Sequence, residues 1–262
     1  MADDPRLGTS PKAGSGLSVS LARPLVCLVL FVDVMFADRR EAGRKLAIQL
    51  GDYAGREDAI VLGLPRGGIP VAYEIASALR LPLDVFLTRK LGVPGEEELA
   101  FGAIAAGGVI VLEPETVRMF GLTADEIESI AGTQRSELQR RERLYRRDRP
   151  PLELAGRTVI LVDDGIATGA DMKAAVKALR LLSPARIVAA VPVAPAENCD
   201  AARFGADEMI CLATPARFYG VGQFYSSFPP VSDEEVARLL ERGAAPATNH
   251  EVKQGTNQGV ER

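Results

Sequence analysis

Short apolar runs alternate with amphipathic segments through the middle of the chain. Runs of four to eight apolar residues favour strands covered on both faces, and they occur at 59–64, 83–88, 157–162, 186–193 and 208–212. Apolar residues at helical spacing predict helices over 38–53, 69–79, 123–147, 169–182 and 197–203. Strands that alternate with helices indicate an α/β fold, in which helices flank a parallel sheet.

Local signals mark several boundaries of these elements. Asp38 is suited to cap the first helix, Pro70 fits the first turn of the second, and Thr123 with Glu126 has the spacing of a capping box. Residues 89–99 (RKLGVPGEEEL) contain glycine, proline and three glutamates, which predicts a mobile loop. Short strands are expected after it, at 100–106 and 108–112.

The two ends of the chain differ from the middle. The apolar run 25–32 is too short to span a bilayer, which takes about 20 residues. Three interpretations of this run stay open: the core of a signal peptide, a buried strand, and a stretch translated from a start codon upstream of Met35. We expect 35–243 to form the domain, 1–34 to be an extension that is disordered or not part of the native domain, and 244–262 to be a disordered tail.

Charge and rare residues exclude several classes of chemistry. The 262 residues include 31 Lys and Arg against 35 Asp and Glu, a net charge of −4, which argues against nucleic-acid binding through overall charge. Three cysteines without a CxxC pair predict neither a disulfide framework nor a zinc site. The one histidine, His250, lies in the polar tail, which excludes a Ser-His-Asp triad. Carboxylates, Lys or Arg, hydroxyls, backbone amides or a bound hard cation must carry any reaction.

The strand 157–162 leads into the segment with the clearest chemistry. It ends at Asp163 and Asp164, which a loop of small residues joins to the next helix. The carboxyl edge of a parallel sheet binds ligands in open α/β proteins, and loop amides with the Thr168 hydroxyl suit a phosphate. Carboxylates accept hydrogen bonds from vicinal hydroxyls and can hold Mg²⁺ through water. An ordinary strand–turn–helix with acidic caps is the alternative.

This segment resembles the 5-phosphoribosyl-1-pyrophosphate (PRPP) signature of type I phosphoribosyltransferases. The match includes Asp163, Asp164, Thr168 and Gly169. It departs at Ala167 and at Asp171, and we expect Asp171 to point away as a helix cap. The resemblance implies the type I phosphoribosyltransferase fold. It also implies an enzyme, a pentosyltransferase that moves ribose 5-phosphate from Mg²⁺-bound PRPP to a nitrogen nucleophile, nucleobase-like in character, and releases pyrophosphate.

The resemblance also implies a role for each site residue. Asp163 and Asp164 hold the ribose hydroxyls, stabilise positive charge in the reaction, and hold Mg²⁺ through water. The 5′-phosphate loop comprises Gly165, Ile166, Ala167, Thr168, Gly169 and Ala170. The pyrophosphate-binding loop comprises Arg66, Gly67 and Gly68, although PRGG is also compatible with a plain turn. Arg89 and Lys90 are catalytic residues of a flexible loop that closes over the departing pyrophosphate.

Three motifs narrow the resemblance to a bacterial subgroup of predicted phosphoribosyltransferases with unassigned substrates. They are RKLGVPGEEELAFGAI, VDDGIATGA and the late FYGVGQFY, and the similarity covers about residues 36–240. The late motif supplies an acceptor hood, a set of aromatic residues that stack over a flat base: Phe218, Tyr219 and Tyr225, with Phe224 beside them. Core aromatics are the other interpretation of the same residues.

Two alternative functions stay open. Seven arginines between 135 and 149 crowd one end of the long helix, which suits either an RNA contact or a solvated helix face. The first alternative is therefore a PRPP-sensing, RNA-binding regulator with the same fold. The second is a PRPP-binding protein that has lost catalytic activity, which Asp171 makes possible. Otherwise we expect a cytoplasmic enzyme of nucleotide metabolism, with PRPP and a nitrogenous acceptor as partners, no nucleic-acid or membrane partner, and a homodimer left open.

Overall fold

The computed structural model describes residues 36–147 and 149–243. By its internal contacts the chain divides into two units, 1–32 and 33–262. The first unit lies outside the described residues, as do the predictions for 1–34 and for the tail 244–262.

A five-stranded parallel sheet forms the centre of the second unit, in the order β2-β1-β6-β7-β8. All neighbouring pairs in this sheet are parallel, so the predicted parallel sheet is confirmed. Its strands are β1 (Ala59–Gly63), β2 (Leu83–Val85), β6 (Thr158–Val162), β7 (Arg186–Val193) and β8 (Glu208–Ala213). The sequence placed each of them within three residues of these bounds.

Seven α-helices lie within the described residues. They are α1 (Arg39–Gln49), α2 (Gly68–Leu79), α3 (Pro114–Phe120), α4 (Ala124–Arg146), α5 (Ala170–Arg180), α6 (Ala201–Phe204) and α7 (Asp233–Gly243). Asp38 caps α1 and the Thr123–Glu126 capping box starts α4, as predicted. The helix expected at 197–203 is instead a 3₁₀ turn, Ala196–Asn198, followed by the short α6. The sequence analysis did not predict α3 or α7.

The parallel sheet separates two buried clusters of apolar side chains. Along β6, Ile160 and Val162 pack in a cluster with α1, α2 and α7, whereas Val159 and Leu161 pack in a cluster with α5 and α6. Successive side chains of a strand point to opposite faces of the sheet. Helices therefore cover both faces, which explains why the strands are continuous apolar runs.

The segment predicted as a mobile loop, 89–99, forms most of a β-hairpin. The strands β3 (Thr88–Val93) and β4 (Glu96–Ala105) pair antiparallel, and β5 (Ile110–Leu112) adds to β4. The loop prediction is wrong because the turn-forming residues concentrate at the hairpin tip, where Gly95 has φ +82°. In β3, which precedes the tip, buried side chains alternate with partly exposed ones, and Leu91 and Val93 are buried in the core.

The cysteines require a second correction. Cys199 and Cys211 form a disulfide whose Cα atoms are 6.1 Å apart. The pairing joins the turn after β7 to strand β8, which is the parallel neighbour of β7. The sequence contains no CxxC signal for it, because the two residues meet only through the order of the strands. Cys27 lies outside the described residues.

No helix in the two described ranges is both long enough and apolar enough to cross a membrane.

Candidate active site

The acidic pair and the PRGG loop meet at the carboxyl edge of the sheet. Strands β1 and β6 pair with Gly63 opposite Val162, so the residues that follow each strand lie side by side. A Cβ atom at Gly67 would lie 2.0 Å from Oδ2 of Asp164, and one at Gly68 would lie 2.6 Å from the carbonyl oxygen of Val162. Side chains at these two positions would therefore collide with the acidic segment. The peptide bond between Pro65 and Arg66 is cis.

Two adjacent carboxyl groups share a poorly solvated position at this edge. Burial raises the pKa of Asp163 well above its usual range, and the negative charge of Asp164 raises it further. Burial also raises the pKa of Asp164, although a hydrogen bond from Arg39 opposes this shift. A group that brings positive charge or hydroxyl donors to this pair would stabilise both carboxylates.

Arg39, which the sequence analysis did not single out, contacts the acidic pair directly. Its Nε donates to Oδ2 of Asp164 at 2.7 Å. Tyr225 reaches the same residue from the other side, since its hydroxyl donates to the backbone carbonyl oxygen of Asp164 at 2.6 Å. The only sequence signal for Arg39 is its place directly after the helix cap Asp38, and that place says nothing about Asp164.

The loop predicted to bind the 5′-phosphate, 165–170, leads from the acidic pair into α5. Its cap residue is Gly169, with φ +82°, where a Cβ would lie 2.6 Å from the Phe204 ring. Within the described part of the chain, the amide nitrogens of Ala167, Thr168 and Gly169 donate to no protein acceptor. These amides, next to a helix N-terminus, form an arrangement suited to an anion.

Asp171 does not cap α5, contrary to expectation. It lies in the first turn of the helix, one position inside Ala170, and it contributes to the wall of the cavity beside the acidic pair. Its negative charge adds to the factors that raise the pKa of Asp163.

A cavity of about 710 Å³ opens beside Asp163, between the sheet edge, the β-hairpin and α4. Its wall includes Arg89 and Lys90 of β3, so the predicted catalytic cations face the same space as Asp163. Helix α4 contributes residues that the sequence analysis missed: Ile130, Thr133, Gln134 and Arg141. Gln134 also orients Arg89, because its Oε1 accepts a hydrogen bond from Nε of Arg89 at 2.9 Å.

Arg66 turns toward α7 in this structure. Its Nη1 lies 3.7 Å from Oδ1 of Asp233, and about half of the Arg66 side chain is exposed. The hydroxyl of Tyr145 donates to the same Asp233 oxygen at 2.5 Å. The PRGG loop is therefore linked through Asp233 to both α4 and α7.

Comparison with known proteins identifies the family. The family model described as "Phosphoribosyl transferase domain" matches residues 37–225, which contain the acidic pair, both glycine-containing loops and the hairpin. The chain belongs to the phosphoribosyl transferase domain family. The predicted family and fold are thereby confirmed.

Relatives support this assignment over most of the chain. Two curated proteins of Mycobacterium tuberculosis, from strains CDC 1551 and H37Rv, are named "Putative phosphoribosyl transferase" and are 49% identical over 210 residues. The match covers 79% of this chain and 47% of each relative, so the chain spans about half the length of the curated proteins it matches. The crystal structure of TT1426 from Thermus thermophilus is 44% identical, with a TM-score of 0.72 over 80% of this chain and 100% of that one.

The predicted hood residues of this phosphoribosyltransferase domain have different environments. Tyr225 and Phe224 are buried, and Phe218 packs on Phe224 with ring centroids 5.3 Å apart. Tyr219 is 89% exposed. Val221, in the same segment, would lie 2.5 Å from a Cβ at Gly165, so the segment covers the start of the loop predicted to bind the 5′-phosphate. Stacking on an acceptor base stays a prediction for these aromatics.

Most arginines of the α4 region have acidic partners. Surface pairs join Arg135 to Glu128, Arg140 and Arg141 to Glu137, and Arg147 to Glu241. Arg146 is buried and bonds both carboxylate oxygens of Asp84. The surface pairs favour the interpretation of a solvated helix face over an RNA contact.

Proposed function

We propose that this phosphoribosyltransferase domain uses PRPP to transfer ribose 5-phosphate to a nitrogen nucleophile of nucleobase-like character. In the reaction, the bond between C1 of the ribose and a pyrophosphate oxygen breaks. A bond forms between C1 and the acceptor nitrogen, which loses a proton, and pyrophosphate leaves. The observation that carries this proposal is the contact of Gly67 and Gly68 with the acidic pair, next to loop amides that have no acceptor among the described residues.

Each group then has a function that matches its position. Asp163 and Asp164 accept hydrogen bonds from the ribose hydroxyls and stabilise the positive charge that develops on the sugar. The free amides of Ala167, Thr168 and Gly169, within the 165–170 loop, bind the 5′-phosphate, as free amides at a helix N-terminus do. The 66–68 loop binds pyrophosphate, and Arg89 and Lys90 neutralise its charge as it departs. Water is excluded in part by the hairpin, which closes one side of the cavity.

Mg²⁺ fits the donor set at this edge. Among the described residues, no group of three or more His, Cys, Asp or Glu side chains could hold a metal by itself. Two carboxylates suit a hard cation that keeps water and substrate oxygens as its remaining ligands. Asp163 and Asp164 would hold it, and the ion would supply positive charge against the leaving pyrophosphate.

A screen for PRPP-dependent pyrophosphate release tests the proposal. Nucleobases and other amines are offered with PRPP and Mg²⁺, and at least one is expected to release pyrophosphate in step with formation of its ribosylated product. PRPP at 100 times its dissociation constant should stabilise the folded protein by about 2.7 kcal/mol.

The variant with both Asp163→Asn and Asp164→Asn is expected to fold and to lose that stabilisation. Asp125→Asn, at an exposed position in the first turn of α4, is the matched control and should respond like the wild type. A double variant that PRPP stabilises as strongly as the wild type would show that the acidic pair does not bind PRPP. Salt-sensitive RNA binding without any turnover would instead favour the regulator.

A further inference from the structure

Arg39 is held against Asp164 by three separate contacts. Its Nε bonds Oδ2 of Asp164, and its Nη1 donates to the carbonyl oxygen of Pro229 at 2.8 Å. The guanidinium also lies over the Phe228 ring, 3.7 Å from the ring centroid. A planar guanidinium that is bonded at two edges and stacked on one face has little freedom to turn.

These contacts form a closed ring of residues around Asp164. Phe228, beneath Arg39, stacks on Tyr225 with ring centroids 4.8 Å apart. Tyr225 in turn donates its hydroxyl to the backbone carbonyl oxygen of Asp164. Both the side chain and the backbone of Asp164 are thus restrained by neighbours that also contact one another.

Of the two carboxylate oxygens of Asp164, Oδ2 is more restrained by its neighbours than Oδ1 is. A Cβ at Gly67 would lie 2.0 Å from Oδ2 of Asp164 and 3.1 Å from Oδ1, so Gly67 crowds the same oxygen that Arg39 bonds. The side chains of Arg39 and Asp164 are only 10% and 14% exposed, so water competes little for this bond.

We propose that Arg39 is a positioning residue for Asp164, which fixes Oδ2 so that Oδ1 is the oxygen presented to a ribose hydroxyl. This inference rests on the proposed function, because it assigns the ribose to the acidic pair. Arg39 lies 125 positions before Asp164, in a helix that contributes nothing else to the proposed PRPP contacts. Its effect is therefore expected on ligands that contain ribose and not on pyrophosphate, which the 66–68 loop binds.

Two probes separate a positioning role from a merely structural one. The full chain is titrated by calorimetry with ribose 5-phosphate and, separately, with inorganic pyrophosphate, both without Mg²⁺ so that metal binding does not contribute. In Arg39→Gln, the dissociation constant of ribose 5-phosphate should rise about tenfold or more, the loss expected for a displaced charged hydrogen bond. The dissociation constant of pyrophosphate for the same variant should stay within about twofold of the wild-type value.

Three further variants act as controls. Arg40→Gln, at the exposed next position of α1, should change neither affinity. Arg39→Lys keeps the charge, so it should recover part of the ribose 5-phosphate affinity, and it replaces the glutamine variant if that variant does not fold. In an Asp164→Asn background, Arg39→Gln should change ribose 5-phosphate affinity by less than about twofold, because residues that act through one another are not additive.

The outcomes separate the two hypotheses. Wild-type protein that binds neither ribose 5-phosphate nor PRPP overturns the proposed function and the inference with it. If the wild type binds ribose 5-phosphate and the Arg39 variants bind it equally well, only the positioning role of Arg39 is overturned. Equal losses for ribose 5-phosphate and pyrophosphate also overturn it, because they indicate a general loss of structure.

Discussion

The side-chain amide of Asn198 donates a hydrogen bond to the backbone carbonyl oxygen of Ala167 at 2.6 Å. Asn198 is 3% exposed and lies in the turn after β7, beside the loop proposed to bind the 5′-phosphate. The C=O and the N–H of a planar trans peptide unit point in opposite directions. By holding the carbonyl of Ala167, Asn198 therefore directs the amide N–H of Thr168, in the same peptide unit, away from itself.

We expect Asn198→Ala to weaken binding of ribose 5-phosphate about tenfold, since one buried hydrogen bond that orients the loop is lost. The measurement is calorimetric titration, with unfolding of the free protein followed in parallel. Glu197→Gln, at the exposed neighbouring position, should bind like the wild type. Unchanged affinity in a folded Asn198→Ala protein would mean that the phosphate loop holds its shape without this bond.

Lys90→Ala is expected to lower the rate of pyrophosphate release about 10²–10³-fold, the usual cost of one preorganised charge. PRPP affinity should fall much less, because charge on the leaving group develops late in the reaction. This effect is expected because Lys90 and Arg89 face the same cavity as Asp163. Steady-state kinetics and a direct PRPP titration measure the two effects. Equal losses in rate and affinity would assign Lys90 to ground-state binding, and no loss would remove it from the site.

The buried ion pair between Arg146 and Asp84 predicts a large stability effect. Nε and Nη2 of Arg146 bond the two oxygens of Asp84 at 3.1 and 3.2 Å, and both side chains are at most 10% exposed. Asp84→Ala should lower the free energy of unfolding by about 3–5 kcal/mol, because the buried guanidinium loses both bonds to Asp84 and keeps only the carbonyl oxygen of Pro150 and the more distant Glu142 as partners. Denaturant unfolding monitored by circular dichroism measures the change.

The exposed pair of Arg147 and Glu241 serves as the control, with side chains 61% and 65% exposed. Glu241→Ala should cost less than about 1 kcal/mol, as surface ion pairs do. If the two variants lost similar amounts of unfolding free energy, burial would not make the ion pair of Arg146 and Asp84 more important for stability than an exposed pair.

Phe36 anchors the start of the described domain. It is fully buried, its amide donates to the carbonyl oxygen of Phe224 at 2.7 Å, and its own carbonyl accepts from Ser226 at 2.7 Å. A protein that begins at Met35 is therefore expected to bind PRPP as the full chain does. One that begins at Arg39 should lose PRPP binding, because Phe36 supports the segment that holds Tyr225 and Phe228.

Thermal melting with and without PRPP, together with gel filtration, compares the three proteins. A Met35 protein that aggregates or melts many degrees lower would show that residues 1–34 belong to the folded domain. An Arg39 protein that binds PRPP normally would show that Phe36 is dispensable for the site.

The sequence alone was sufficient for elements whose signals are local. Strand β6 is a continuous apolar run, and the capping box at Thr123 lies within four residues, so neither depends on distant contacts. The acidic pair and the PRGG loop were also recognisable, because each is a short motif at the end of a strand. Parallel pairing of β1 with β6 then brings the two motifs together, which the alternation of strands and helices implies.

Only the tertiary structure decided which distant residues complete the site. Arg39 reaches Asp164 and Asn198 reaches Ala167 because the helix and the turn that carry them pack beside the same sheet edge. Arginine and asparagine are common on protein surfaces, so residue type and local spacing carry no signal for these contacts. The disulfide between Cys199 and Cys211 follows the same rule, since strand order sets the distance between its ends. Periodicity and capping act over a few residues and can be read along the chain, whereas these contacts depend on how whole elements pack.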